Sequence, residues 1–238
     1  TESGEYYYRE GRRLLHELDG LEEELTASAR EPQGQLRIVA PMSFGQRRLA
    51  PLVARFATLH SKLRISLILE DRESDLFDEA ADLAIRIGYP ADSSMIMRTI
   101  APIPRYACAS PEYLKQRGYP ESPEDLLQHD CLHYNLIPER EEWTFHGENG
   151  EQTLALKGHF CSNNGDVLAE AAIQGLGIAL LPNFIVEEAL ADGLLVKVLE
   201  DYEREPLSLF ALYPSRHYVP AKTRRFLEYL LEHFAGTS

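Results

Sequence analysis

The sequence predicts an α/β fold with two lobes, preceded by a long helix. β-rich runs alternate with segments of helical periodicity along most of the 238 residues, which is the pattern of strands covered by helices. Two proline-containing segments, Pro102-Ile103-Pro104 and Glu205-Pro206, interrupt this alternation. We expect the chain to cross into a second lobe at the first segment and to return at the second. The first thirty residues differ, because they carry a leucine heptad and no strand pattern.

The leading segment has the spacing of a coiled coil. Leu14, Leu18, Leu21 and Leu25 are separated by four, three and four residues, with charged residues on the remaining faces. The pattern allows two interpretations, an amphipathic helix packed on its own domain or a helix that dimerises with a second chain. We assign residues 1–33 to a linker helix and the four leucines to a dimer contact.

The first lobe is predicted over residues 34–104 and 206–238. Its strands are expected at 36–40, 63–69, 83–87 and 207–212, and its helices at 44–60, 75–81 and 221–234. The βαβαβ order of the first five elements implies parallel strands joined by right-handed crossovers.

The second lobe is predicted over residues 105–205. Its strands are expected at 106–109, 131–135, 178–181 and 194–199, its helices at 111–117, 123–129, 167–174 and 184–191, and a hairpin at 143–145 and 152–157. Gly175-Leu176-Gly177 lacks the third glycine of a dinucleotide-binding loop and follows a helix. We therefore expect it to form a helix C-cap and a turn.

Composition and charge exclude several classes of protein. With 24 Lys and Arg against 38 Asp and Glu, the net charge is −14, which repels a phosphate backbone. No apolar run approaches the roughly 18 residues of a membrane helix, and no secretory signal is seen. The three cysteines form no C-x-x-C pair, which favours a reducing cytoplasm. The chain begins at Thr1 without an initiator methionine, so we expect further sequence in front of it.

Two loops predict a site for a small anion. In open α/β sheets, ligands lie beyond the carboxyl ends of the strands, where the N-termini of helices also point. Pro41 to Gly45 opens a helix after the first strand, with Ser43 as its expected N-cap, and Ser162 to Asp166 opens a helix in the second lobe. One such terminus per lobe would suit an anion in a cleft. Ordinary helix capping is the alternative, and it is the commoner role of such loops.

Arg86 is a further candidate ligand for a carboxylate. It lies in a β-rich strand, and its guanidinium can bind a carboxylate through two hydrogen bonds. The alternative is an ion pair with Asp82 or Asp71.

No catalytic residue, metal site or cofactor is predicted. The sequence contains neither a G-x-S-x-G elbow nor a P-loop. His129, Cys131 and His133 share one face of a predicted strand, but they have no remote partner of obvious spacing, so we expect packing rather than metal binding. The basic groups Arg47-Arg48 and Lys222 to Arg225 are interpreted as exposed helix faces.

Six short motifs, taken in order, resemble the LysR-type transcriptional regulators. They are Thr1-Glu2-Ser3-Gly4, Gly34 to Ile38, Leu49 to Phe56, Asp82 to Gly88, Ala109 to Leu114 and Gly175 to Pro182. Together they resemble the co-inducer-binding domain of that family with its linker helix. The resemblance extends over nearly the whole chain. His60-Ser61-Lys62 departs from the family's aromatic-proline pattern, without an expected effect on function.

The resemblance implies two Rossmann-like subdomains around a ligand cleft, similar to type 2 periplasmic binding proteins. It implies that the effector is a small metabolite, with an organic acid as the expected class. The positions that match the family's effector contacts are Met42, Ser43, Phe44, Arg86, Ile87, Gly88, Asn135, Asn163, Asn164 and Pro182.

The resemblance also implies a cytoplasmic homodimer or homotetramer that is not an enzyme. DNA would be bound only through a winged helix-turn-helix domain that is not among these residues. Two alternatives share the fold, a periplasmic binding protein and a dehydratase-like enzyme. The first would need a secretory leader, and the second would need a catalytic acid or base in the cleft.

Overall fold

A computed structural model describes residues 1, 4, 7, 8, 11, 32–71, 81–89, 95–134, 142–147, 150–214 and 219–235. The four leucines of the predicted linker helix, the predicted helix at 75–81 apart from its last residue, Asn135 and the turn residues 148–149 lie outside these ranges. The chain divides into two compact units. The first contains residues 1–41, 48–101 and 208–238, and the second contains residues 42–47 and 102–207. The assignment of 1–33, 34–104 with 206–238, and 105–205 to separate domains stays a prediction.

The strands and helices follow the predicted alternation. The strands are β1 (Gly34–Ala40), β2 (Leu63–Leu69), β3 (Leu83–Gly88), β4 (Ile96–Ile103), β5 (Arg105–Ala109), β6 (Cys131–Tyr134), β7 (Glu142–Gly147), β8 (Gly150–Ala155), β9 (Cys161–Ser162), β10 (Ile178–Pro182), β11 (Val196–Lys197) and β12 (Leu207–Tyr213). The α-helices are α1 (Met42–Phe44), α2 (Ala50–Leu59), α3 (Pro111–Arg117), α4 (Gly165–Ile173), α5 (Asn183–Ala191) and α6 (Ala221–Ala235). A π-helical turn (Gly45–Leu49) joins α1 to α2, and a 3₁₀-helix (Pro123–Gln128) precedes β6.

The sheet of the first unit has the order β2-β1-β3-β12-β4. β1 pairs in parallel with β2 and with β3, which confirms the predicted parallel strands, while β12 is antiparallel to β3. The sequence analysis missed β4. Its residues Met97, Arg98 and Thr99 are all exposed, so this strand lacks the alternation of buried and exposed side chains that identifies a strand.

Helices α2 and α6 pack together in the first unit. The Phe56 ring meets the Phe226 ring edge-to-face, with centroids 5.0 Å apart and planes at 73°. Both side chains are fully buried, and burying a phenylalanine contributes about 1.5–3 kcal/mol to folding.

The interpretation of Lys222 as part of an exposed face is wrong. Its ammonium lies 2.9 Å from Asp82, and both side chains are largely buried. The ammonium also donates to the Gln35 carbonyl, and Asp82 accepts a 2.8 Å hydrogen bond from the Arg37 N–H. The start of α6 is therefore tied to β1 and to the residue before β3.

The sheet of the second unit has the order β11-β5-β10-β6-β9. β10 is antiparallel to β5 and parallel to β6, and β7 and β8 form the predicted hairpin. The predicted strand at 194–199 is shortened to β11, since the N–H groups of Leu194 and Leu195 donate to the Ala189 carbonyl and Leu199 has a left-handed backbone conformation (φ 56°).

Two further details differ from the predictions. The predicted helix at 123–129 is the 3₁₀-helix, whose start is stabilised by the Asp125 carboxylate accepting 2.9 Å hydrogen bonds from the N–H groups of Glu121 and Ser122. The helical segment predicted to begin at Phe44 begins at Met42, so Ser43 lies within α1 and is not its N-cap. The residue before this helix is Pro41.

The C-terminus of α4 confirms the prediction for the glycine-containing turn. Gly175 has φ +80°, its N–H donates to the Ala172 carbonyl, and the Leu176 N–H donates to the Ala171 carbonyl. These two hydrogen bonds form a Schellman motif, which requires a left-handed residue after the helix and favours glycine there.

Candidate functional site

The two loops singled out in the sequence meet within the second unit. Contacts group residues 42–47, which include α1, with this unit, and α4 also lies in it. The Asn164 side-chain amide Nδ2 donates to the Ser43 hydroxyl over 3.4 Å. Ser43 is 4% exposed and Asn164 is half-buried. The two predicted helix starts are therefore in direct contact, within one unit rather than one in each.

Asn164 caps α4, which is the alternative role given above for this loop. Its Oδ1 accepts from the N–H groups of Asp166 (3.0 Å) and Val167 (3.3 Å), and the Ser162 hydroxyl accepts from the Asn164 N–H (3.1 Å). Such a cap contributes about 0.5–2 kcal/mol. It also occupies N–H groups that the sequence analysis had assigned to an anion. The Asn164 amide nitrogen and the Ser43 hydroxyl are the side-chain groups through which the two loops bond to each other.

Gly165 allows this loop to pack closely. A Cβ atom at this position would lie 2.3 Å from Ile185 Cδ1 and 3.3 Å from a Tyr134 ring carbon, so any larger residue would force the neighbours apart. The first turn of α4 is therefore held against α5, and the position of Asn164 is set by packing as well as by capping.

The residue that follows Ser43, Phe44, packs against a second buried aromatic ring. Phe44 and Phe184 pack edge-to-face with centroids 5.4 Å apart, and both are almost completely buried. The ring of Phe44 therefore has a packing role in this structure.

Arg47 is a positioning residue that the sequence analysis missed. Its Nε lies 2.8 Å from Asp166 and its Nη1 lies 3.3 Å from Glu188, so one side chain joins the π-helical turn to α4 and to α5. Burial lowers the pKa of Arg47, but the hydrogen bonds and charges of Asp166 and Glu188 outweigh burial and raise it overall. The partners lie 119 and 141 residues away in sequence, so no local pattern indicated them.

The remaining predicted effector contacts occupy different environments. Met42 and Asn163 are exposed beside Ser43 and Asn164, and Pro182 is the buried last residue of β10. Arg86, Ile87 and Gly88 belong to the first unit, where they are the half-buried last residues of β3. Asn135 lies outside the described ranges.

Asp82, one of the two alternative ion-pair partners of Arg86, also has other contacts. Asp82 binds the Lys222 ammonium and the Arg37 N–H, as described above. An Arg86 guanidinium nitrogen lies 3.4 Å from the Ile85 carbonyl oxygen.

His129 is hydrogen-bonded to a neighbouring tyrosine. A 3.2 Å hydrogen bond joins His129 Nδ1 to the Tyr113 hydroxyl, and that hydroxyl accepts from the Asp130 N–H. Burial lowers the pKa of His129, which favours its neutral form. Across the described ranges, no three His, Cys, Asp or Glu side chains are placed to hold a metal ion.

No helix in the described part of the chain combines the length and the apolar character that crossing a membrane requires.

Comparisons with known proteins agree on one family. Residues 29–235 match the family described as LysR substrate binding domain. An uncharacterised HTH-type transcriptional regulator of Haemophilus influenzae is 36% identical over 93% of this chain and 77% of its own length. The HTH-type transcriptional regulator DmlR of Escherichia coli is 35% identical over 99% of this chain and 76% of its own length. The structure is similar to the regulatory domain of CrgA, a LysR-type transcriptional regulator from Neisseria meningitidis, with 30% identity, a TM-score of 0.75, and coverage of 85% of this chain and 100% of that one.

Proposed function

Because this chain belongs to the LysR-type transcriptional regulators, as their effector-binding domain, we propose that Ser43 and Asn164 bind its effector directly. The observation that carries the proposal is the hydrogen bond between these two side chains. They come from the two loops that the sequence singled out, and both are held in place by neighbouring helices.

The Ser43–Asn164 hydrogen bond is long enough to be exchanged for a ligand. At 3.4 Å it lies beyond the usual 2.7–3.2 Å of N–H···O hydrogen bonds. A carboxylate accepting from both the amide nitrogen and the hydroxyl would replace it with charge-assisted bonds, which are roughly twice as strong as neutral ones. An effector with a carboxylate would therefore be favoured over water at this position.

The surroundings reduce the cost of binding. The Asn164 carbonyl oxygen is fixed by α4, so its amide nitrogen keeps one direction without a ligand. Ser43 precedes the buried Phe44, which restricts the backbone. Pre-positioned donors lose little conformational entropy on binding, so few contacts can give a useful affinity.

The other predicted contacts stay part of the proposal. They are Met42, Phe44, Arg86, Ile87, Gly88, Asn135, Asn163 and Pro182. Met42 is the exposed apolar residue beside Ser43, and we assign it to an apolar part of the effector.

We infer the wider role from the relatives. Those quoted above are named transcriptional regulators, and none of their names denotes an enzyme. We propose that the protein acts in the cytoplasm as a homo-oligomer without catalytic activity. DNA binding is assigned to a helix-turn-helix domain rather than to this domain, whose charge of −14 repels DNA.

The experiment is an effector screen followed by matched variants. A panel of small organic acids is screened by thermal shift, and the affinity of each hit is measured by calorimetry. Asn164→Asp keeps a good N-cap for α4 but replaces the donating amide nitrogen with a carboxylate oxygen, so we expect at least about tenfold weaker binding at unchanged helix content.

Ser43→Ala should weaken binding by a similar factor, while Ser66→Ala on β2, the control, should leave it unchanged. Equal affinity of the wild type, Asn164→Asp and Ser43→Ala for the same acid would refute the proposal.

A further inference from the structure

We propose that the second unit contains a second ligand site, a cavity around Arg105 and Arg204 that binds a small oxyanion, either a carboxylate or a phosphate. The cavity has a volume of about 350 Å³ and shares no residue with the Ser43–Asn164 site. Its walls are the start of β5 and the segment that follows β11. This size falls in the range of sites for small metabolites.

The hydrogen-bond partners of the Arg204 guanidinium are neutral groups. Its Nη2 donates to the carbonyl groups of Val198 (3.2 Å) and Leu199 (3.0 Å), both of which are neutral. Its Nε is buried and has no hydrogen-bond partner among the residues that the structure describes. Within the same residues, no carboxylate lies within ion-pair distance of it. A buried donor without an acceptor costs free energy.

The rest of the cavity adds positive charge. Arg105 lines it beside Arg204, and its guanidinium donates to the Glu205 carbonyl (3.0 Å). Burial, together with the like charge of Arg105, outweighs the opposing effects of Cys108 and Glu200 and lowers the pKa of Arg204 to about 10, so its guanidinium remains charged at neutral pH. An oxyanion between them would relieve this repulsion.

The acidic residues of the cavity do not cancel this charge. Glu200 lies 4.0 Å from the ammonium of Lys197, which also lines the cavity, so these two charges largely offset each other. Glu203 is exposed, and its backbone is bonded to His146. Glu200 also attracts the Arg204 guanidinium, but among the residues that the structure describes no carboxylate lies within ion-pair distance of it.

The walls also define the shape of the ligand. The Lys197 ammonium lies 3.8 Å from the centroid of the Tyr106 ring, and Arg204 lies 5.1 Å from the centroid of the Phe145 ring. Pro104, Val198 and Pro206 contribute apolar surface. The cavity therefore suits an anion with a small apolar body.

The experiment uses two probes, inorganic phosphate and succinate, at constant ionic strength. Calorimetry on the full 238-residue chain should show saturable binding of at least one probe. Arg204→Gln and Arg105→Gln should each weaken it at least about tenfold, because each removes a charge-assisted donor. Arg98→Gln on β4 makes the same change in net charge at an exposed position outside the cavity, and binding should be unchanged.

The outcomes separate the possible ligands and the possible failures. Binding of phosphate alone assigns the site to a phosphorylated ligand, and binding of succinate alone assigns it to a carboxylate. Ser43→Ala should leave the affinity unchanged, which separates this site from the proposed effector site. If Arg204→Gln is not folded by circular dichroism, Lys197→Gln at its half-exposed position takes its place and should weaken binding about threefold. No saturable binding of either probe, or equal binding by wild type and the cavity variants, would overturn the proposal.

Discussion

The three cysteines of this protein differ in how deeply they are buried. Cys108 and Cys131 are fully buried, and burial raises the pKa of each thiol to about 12. Their sulfur atoms lie near backbone carbonyls of Ala179 and Leu126, within the core of the second unit. Cys161 is exposed on β9. Because only thiolates react with alkylating agents, reactivity should follow burial.

We expect iodoacetamide at pH 8 to modify one cysteine in the folded protein and three in urea. Cys161 should react first, and Cys108 and Cys131 at least about a hundredfold more slowly, since their ionised fractions are smaller and their sulfurs are inaccessible. Intact-mass spectrometry with time gives the rates. Cys161→Ser is the control and should remain unmodified until denaturant is added. Modification of Cys108 at the rate of Cys161 would contradict this reasoning.

Helix α6 is attached to the first unit by one buried ion pair as well as by apolar packing. Lys222 reaches Asp82 and the Gln35 carbonyl from the first turn of the helix, while Phe226 packs on Phe56 one turn later. Removing one partner of such a pair leaves an uncompensated buried charge, which is more costly than the loss of the attraction itself.

Lys222→Met should therefore lower the free energy of unfolding by about 3 kcal/mol, measured by urea denaturation. Arg225→Met on the same helix is the matched control. Its guanidinium pairs with Glu228 at the surface, and loss of such a pair costs at most about 0.5 kcal/mol. Similar losses for the two variants would show that the buried pair contributes no more than an exposed one.

We propose that the assembly of the whole protein depends on residues at the start of the chain. Regulators of this family are oligomeric, and the sequence assigns the contact between chains to Leu14, Leu18, Leu21 and Leu25. A heptad seam buries its leucines only when a second helix covers them. The proposed homo-oligomer therefore depends on this leucine pattern.

Light scattering at tens of micromolar tests this contact. The 238-residue chain should be a dimer or larger, and Leu18→Asp should shift it toward the monomer because a charge in the seam is desolvated. Leu15→Asp changes a leucine outside the seam and should leave the mass unchanged. A monomeric wild type, or equal dissociation by both variants, would contradict the assignment.

Local sequence patterns were sufficient for much of the backbone. Alternation and length identified β1, β2 and β3, the hairpin of β7 and β8, and the parallel pairing in the first unit. Gly175 indicated the end of α4, and the loop before α4 indicated its cap. These features depend on residues a few positions apart, whose hydrogen bonds and backbone preferences are determined by the local sequence.

The chemistry of the sites depends instead on residues that are distant in the chain. The sequence around Ser43 indicated a helix N-cap, yet its hydroxyl accepts a hydrogen bond from Asn164, 121 residues later in the chain. Arg47 and Lys222 looked like exposed charges, and each has acidic partners supplied by another element. Arg204 carries no motif, and its place beside Arg105 becomes visible only when the start of β5 and the segment after β11 line one cavity. Propensity acts along the chain, whereas burial and charge pairing arise when remote segments pack together, and this is why the fold could be predicted while the partners of these side chains could not.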